Sequence, residues 1–130
     1  RALQTAKIIS VEIREPFIAM DEFVERNIGV YEGLTREEAS KKYPDLWKRN
    51  VLHILDNTEH LGESINQVKS RVNKGLEFIK VKYSDKNVLL VTHGYISRIV
   101  NGMINSVSYE DSVDFLLSNC EIIEYDNFFE

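Results

Sequence analysis

The sequence predicts an α/β fold, and three observations carry that expectation. An apolar run, Val88 to Val91, ends in Thr92-His93-Gly94, and an apolar helix pattern starts at once. A long amphipathic helix precedes it, with Ile65, Val68, Val72, Leu76, Ile79 and Tyr83 recurring at spacings of three and four. Helices alternate with short apolar segments, the pattern of a parallel sheet covered by helices.

Arg1 to Ile9 is in helical register, although no Ser, Thr, Asp or Asn precedes it as a cap. It reads as the remnant of a helix. Val11 to Ile13 predicts a short strand, its apolar residues alternating with Glu12 and Arg14. Residues 15–34 hold no sustained period and carry Gly29 and Gly33. Long irregular segments of that kind are often functional. Thr35 and Glu38 form a capping box, and Ala39, Tyr43, Leu46 and Trp47 follow at helical spacing. Pro44 has no N–H to give, so the helix ends or kinks there. Residues 51–61 read as irregular, and Ser64 with Gln67 opens the long helix as a second capping box. Ser84 to Lys86 makes a turn. A strand over 88–92 follows, then a helix with Ile96, Ile99, Val100, Met103 and Ile104 on one face. Cys120 to Tyr125 alternates and predicts a final edge strand. Trp47 reads as a packing residue, Tyr31 and Tyr95 fit a pocket or a core, with the core favoured for Tyr31, and His53 and His60 read as surface residues.

A length of 130 residues favours one domain over 1–130. A domain near this size hides roughly two thirds of its unfolded surface, enough for a core. The net charge is −5 and no basic stripe stands out. This argues against nucleic acid, whose phosphate backbone needs clustered Lys and Arg. It leaves room for a small phosphate ester, which needs only a local positive pocket. The single cysteine, Cys120, cannot form an internal disulfide, which suits a reducing cytoplasm. No apolar run approaches the roughly 18 residues of a membrane helix.

Three positions sit in unusual local settings. His93 lies at the carboxyl end of the predicted parallel strand, where open α/β sheets bind ligands. The helix that follows presents free backbone N–H groups, which suit phosphate. Glu25 lies in the irregular segment Glu25-Arg26-Asn27-Ile28-Gly29, and Arg1 lies at the open end of a helical segment. A histidine, a carboxylic acid and an arginine are the parts of phosphoryl transfer through a histidine. The imidazole attacks phosphorus or stabilises its oxygens, the acid protonates the leaving alcohol, and the guanidinium clamps two oxygens in a fork. Composition does not show that the three converge.

Arg1-Ala2-x-x-Thr5-Ala6, Glu25-x-x-x-Gly29-x-x-Glu32-Gly33, Tyr43-Pro44, Gly62-Glu63-Ser64 and Leu89-x-Val91-Thr92-His93-Gly94 occur in this order. The set resembles the histidine phosphatase superfamily, branch one, the phosphoglycerate mutase-like group. Asn119-Cys120-Glu121-Ile122 is similar to the family's last strand. The resemblance implies a three-layer α/β/α sandwich with a mostly parallel sheet. It implies that Arg1 clamps the phosphoryl group and that Glu25 protonates the leaving oxygen and later activates water. It also implies that His93 stabilises the phosphoryl oxygens and that Gly94 lets backbone approach them. Glu63 and Ser64 match an element read as mainly structural. The family's nucleophile is the histidine of an Arg-His-Gly motif on its first strand. No Arg-His-Gly occurs here. The expectation is therefore an N-terminally truncated domain, without its first strand and nucleophile, and inactive as it stands.

The resemblance implies metal-independent chemistry with no cofactor, acting on a small phosphorylated metabolite. Only residues 34–61 separate Gly33 from Gly62, as in the compact phosphatases of the family. Arg36 and Lys48-Arg49 stand where mutases carry basic residues, so mutase-type transfer remains an alternative. A non-catalytic anion-binding module is another.

Overall fold

The computed structural model describes residues 1–126 and Phe128. Among them the chain forms five α-helices: α1 (Ala2–Ile13), α2 (Arg36–Lys42), α3 (Pro44–Lys48), α4 (Ile65–Lys82) and α5 (Gly94–Ile104). Two compact units result, Arg1–Glu25 with Val72–Glu130, and Arg26–Arg71.

The unit Arg26–Arg71 is built on its helix starts. Thr35 Oγ1 accepts the Glu38 N–H at 3.2 Å and the Glu38 carboxylate accepts the Thr35 N–H at 2.8 Å, closing the predicted capping box. Helix α2 ends at Lys42, and Pro44 starts α3 at a position where its missing N–H is not needed. Ser64 and Gln67 exchange a second reciprocal pair, at 2.8 and 3.1 Å, at the start of α4. Tyr31, Ala39 and Val51 form the buried core, with Ile28, Val30, Leu34, Tyr43, Leu46 and Leu52 against it. The Tyr31 ring meets Tyr43 and Trp47 edge-on, at 5.9 and 6.1 Å between centroids. Tyr31 is buried in this core, whereas Trp47 meets its ring but stays 39% exposed.

His60 departs from its expected surface position: it is wholly buried. The cause is a close backbone approach. Gly29 (φ +58°) and Gly62 let residues 27–30 lie against 60–63, where a Cβ on Gly29 would fall 1.9 Å from the His60 carbonyl oxygen. The Val30 N–H donates to that oxygen at 2.8 Å, and the His60 ring is trapped beside Gly62. His53 is exposed, as expected.

In the unit Arg1–Glu25 with Val72–Glu130, the buried hydrophobic side chains among the described residues are Phe23, the α4 residues Val72, Leu76 and Ile79, the α5 residues Ile96, Ile99 and Val100, and Tyr109. The predicted strand Val11–Ile13 is instead the last turn of α1, closed by Arg14 in the left-handed conformation. Three residues do not outweigh a helix already propagating, which gains one hydrogen bond for each residue added. The segment 88–92 is not helical but joins no ladder, and no strand forms among the described residues. A strand exists only where a second segment takes up its N–H and C=O groups. In segment 88–92, Val88 and Leu89 stay open, 42% and 52% exposed, while Leu90 and Val91 are half-buried. Cys120 to Tyr125 is likewise no strand: Cys120 turns the chain at φ +64°, and Ile122 is exposed. The predicted sheet is thus not formed among the described residues.

Candidate active site

The four residues expected in the site, Arg1, Glu25, His93 and Gly94, fall in the same unit. Each is placed by local structure. His93 is the residue before α5, in extended backbone (φ −114°, ψ 160°), and its carbonyl accepts the Ser97 N–H at 2.8 Å. The ring is half-buried and does not cap the helix. Gly94 is the first residue of α5, and a Cβ built there meets nothing within 4 Å. The α5 N-terminus therefore opens onto space beside His93, where first-turn amides favour an anion.

Glu25 is exposed and follows a 3-10 turn, Asp21–Phe23. In that turn Phe23 donates its N–H to Met20 at 3.2 Å and buries its ring. The Phe23 carbonyl accepts the Thr92 hydroxyl at 2.8 Å. The segments carrying Glu25 and His93 are thus tied one or two residues from each of them. Arg1 is not tied in this way. Its carbonyl accepts the Thr5 N–H and hydroxyl, and its guanidinium makes no hydrogen bond or ion pair among the described residues.

The sequence segment after Glu25 is held inside the unit Arg26–Arg71. Buried Arg26 donates from Nε to the Glu63 carbonyl at 3.0 Å and from Nη1 to the Leu52 carbonyl at 2.8 Å. The Glu63 carboxylate accepts Arg71 Nε at 2.7 Å, Arg71 Nη2 at 3.0 Å and the Asn27 N–H at 3.0 Å. Burial works to raise the Glu63 carboxyl. The Arg71 and Asn27 hydrogen bonds, with the charges of Arg71 and Arg26, outweigh it and hold the group below the usual carboxylate range. Glu32 accepts the Ile28 N–H at 2.8 Å, and Asn27 Oδ1 accepts the Gly29 N–H at 2.7 Å. The irregular stretch is therefore cross-tied rather than loose.

His60 completes this network. Its Nε2 lies 3.2 Å from the Glu63 carbonyl, while buried Nδ1 has no hydrogen-bond partner among the described residues. Burial first, then the Arg26 charge, pushes its pKa below the ordinary histidine value. Of the basic residues weighed for a second acidic group, Arg36 and Lys48 are exposed, and Arg49 is engaged by the Glu59 carboxylate. No group of three or more His, Cys, Asp or Glu among the described residues is arranged to hold a metal ion. No helix among them is long and apolar enough to cross a membrane.

Sequence reasoning singled out Glu63 and Ser64 and missed the roles of Arg26, Arg71 and Thr92. Ser64 does cap α4. Arg26 and Thr92 act through partners far away in sequence, Arg71 reaches Glu63 eight residues back, and no local pattern marks the three.

The sequence model of the histidine phosphatase superfamily (branch 1) matches residues 1–127. The chain is 34% identical over 131 aligned residues to the uncharacterized phosphatase PhoE of Bacillus subtilis (strain 168), covering 95% of this chain and 61% of that protein. It is 31% identical over 114 residues to the metal-independent phosphoserine phosphatase of Arabidopsis thaliana, covering 83% of this chain and 46% of that protein. It is 27% identical over 129 residues to the 2,3-bisphosphoglycerate-dependent phosphoglycerate mutase of Buchnera aphidicola subsp. Cinara cedri, covering 78% and 56%. The chain thus spans between 46% and 61% of the length of these three relatives. The chain belongs to the histidine phosphatase superfamily, branch 1, and its α/β class rests on that membership.

Proposed function

We propose that the protein is a phosphoric monoester hydrolase working through a phosphohistidine, on a small phosphorylated metabolite, without metal or cofactor. The single observation carrying this is His93 at the open N-terminus of α5, within a family match over residues 1–127. A nucleophilic imidazole attacks phosphorus while Glu25 gives a proton to the leaving oxygen. Arg1 and His93 hold the equatorial oxygens, where transition-state charge is spread. Gly94 leaves the backbone room to approach them. Water, deprotonated by Glu25, then attacks the phosphohistidine and frees phosphate. The nucleophile lies outside these 130 residues, which contain no Arg-His-Gly, so the 130-residue chain alone turns over no ester. We read 1–130 as one functional domain despite its two compact units, and the exposed free thiol of Cys120 suits a reducing cytoplasm. Mutase-type transfer would ask Arg36, Lys48 and Arg49 to hold a second acidic group, and the Arg49–Glu59 pair favours hydrolysis instead.

The test compares two esters in the full-length protein carrying Glu25→Gln. With an alkyl phosphate, whose alcohol leaves poorly, kcat falls by roughly two to four powers of ten. With an aryl phosphate, phosphorylation of the enzyme slows far less. Equal loss on both esters in that step, or none on either, refutes the assignment and makes Glu32 the next carboxylate to examine. Phosphate released steadily by the 130-residue chain, and abolished by His93→Ala, refutes the placement of the nucleophile. Phosphate binding without turnover by the full-length protein identifies an anion-binding module instead.

A further inference from the structure

We propose that Thr92 is a positioning residue that fixes the Glu25 segment against the His93 segment through its hydrogen bond to the Phe23 carbonyl. The inference rests on the reading of Glu25 and His93 as catalytic. Thr92 Oγ1 lies 2.8 Å from that oxygen, across 69 residues of sequence. By chain geometry, Phe23 is at most about 7 Å along the backbone from Glu25, and Thr92 about 3.8 Å from His93 between Cα atoms.

Both ends of this bond are themselves held. On one side, the Phe23 ring is buried against α4 at Gly75, where a Cβ would fall 2.6 Å from its Cζ and 2.8 Å from Glu22 Cβ. The Phe23 N–H is used in its own 3-10 turn, and the carbonyl accepts from Thr92. On the other side, the Ser97 N–H donates to the His93 carbonyl in the first turn of α5, which begins two residues after Thr92. The hydroxyl is then a tie between two anchored ends. A proton donor and an oxyanion stabiliser must act on opposite parts of one phosphate ester. Misplacement by about 1 Å can cost on the order of a hundredfold in rate.

The test uses the full-length protein, with kcat and KM measured on an alkyl phosphate and the folded fraction followed by circular dichroism. Thr92→Val keeps the shape and removes the donor. Its kcat per folded molecule falls about ten- to a hundredfold, with KM much less changed. Thr92→Ser restores the donor and returns kcat to near the parent value. In a Glu25→Gln background the effect of Thr92→Val shrinks below about threefold, because coupled residues are not additive. If Thr92→Val does not fold, Thr92→Ala gives the same comparison. An unchanged kcat per folded molecule, an effect fully additive with Glu25→Gln, or a Thr92→Ser variant as slow as the Val variant each overturns the proposal. If Glu25→Gln and His93→Ala both leave kcat intact, the site assignment falls and this inference with it. If those two lower kcat and Thr92→Val does not, this inference alone falls.

Discussion

Replacing Glu63 by glutamine tests the polar network at its centre. The carboxylate accepts three hydrogen bonds, two from Arg71 and one from the Asn27 N–H. The Arg71 and Glu63 side chains are 18% and 25% exposed, so the pair is neither a surface ion pair nor a fully buried one. Exposed pairs contribute about 0–1 kcal/mol, and breaking a buried one costs about 3–5 kcal/mol. Glutamine keeps one acceptor oxygen but turns an N–H₂ group toward donors. The expected loss is therefore about 2–3 kcal/mol, a large part of the roughly 5–15 kcal/mol that holds a domain folded. Urea unfolding of parent and Glu63→Gln at neutral pH, followed by circular dichroism, measures it. The sign with pH follows from the lowered carboxyl. Its stabilisation is present above the ordinary value of 4.5 and is lost as pH falls through the folded value. The gap between parent and variant should thus narrow in acid. A gap under about 0.5 kcal/mol at neutral pH, or one as wide in acid as at pH 7, refutes the reasoning.

His60 should give the protein an acid limb of a different kind. Its folded pKa lies below the ordinary 6.5, so the unfolded chain takes up a proton first, and stability falls as pH drops below 6.5. The slope attributable to it is at most about 1.4 kcal/mol per pH unit, and His60→Gln should flatten the limb between pH 6.5 and 5 even if it lowers stability at pH 7.5. An unchanged slope in the variant counts against the assignment. Gly29→Ala should lower the thermal midpoint sharply. The left-handed conformation alone costs about 1–2 kcal/mol, and the new methyl collides with the His60 carbonyl. A melt equal to the parent's would show that residues 27–30 and 60–63 do not approach as described.

What the sequence reveals depends on how far a residue's partner lies along the chain. Both capping boxes were legible, because each closes over three residues. The Pro44 break and the α4 period were legible for the same reason. Strands were not, because a strand is defined by a neighbour that the segment itself does not encode. Residues 88–92 and Cys120 to Tyr125 have the alternation or the apolar run but no ladder among the described residues. Val11 to Ile13 looked like a strand in isolation and is helical because of what precedes it. His60 is buried by two glycines that are 33 positions apart, Gly29 and Gly62. Motif order drew attention to Arg1, Glu25, His93 and Gly94. The tie between two of their segments runs through Thr92 and Phe23, a pairing no local rule would suggest.

The two reciprocal helix starts also bear on the order in which Arg26–Arg71 assembles. A contact over three residues closes a tiny loop, whereas the Arg26 bonds to Leu52 and Glu63 close loops of 26 and 37 residues. Loop-closure entropy grows with the logarithm of length, so the distant bonds form late unless something shortens the search. Helix α2, begun by its own side chains, does shorten it by making a rod inside both loops, and α4, begun in the same way two residues beyond Glu63, fixes the chain next to the second acceptor before Arg26 finds it. Amides at the starts of α2 and α4 should therefore gain protection in pulse-labelled refolding before the Asn27 amide, which waits for Glu63. Simultaneous protection would mean that the polar network nucleates the unit rather than sealing it.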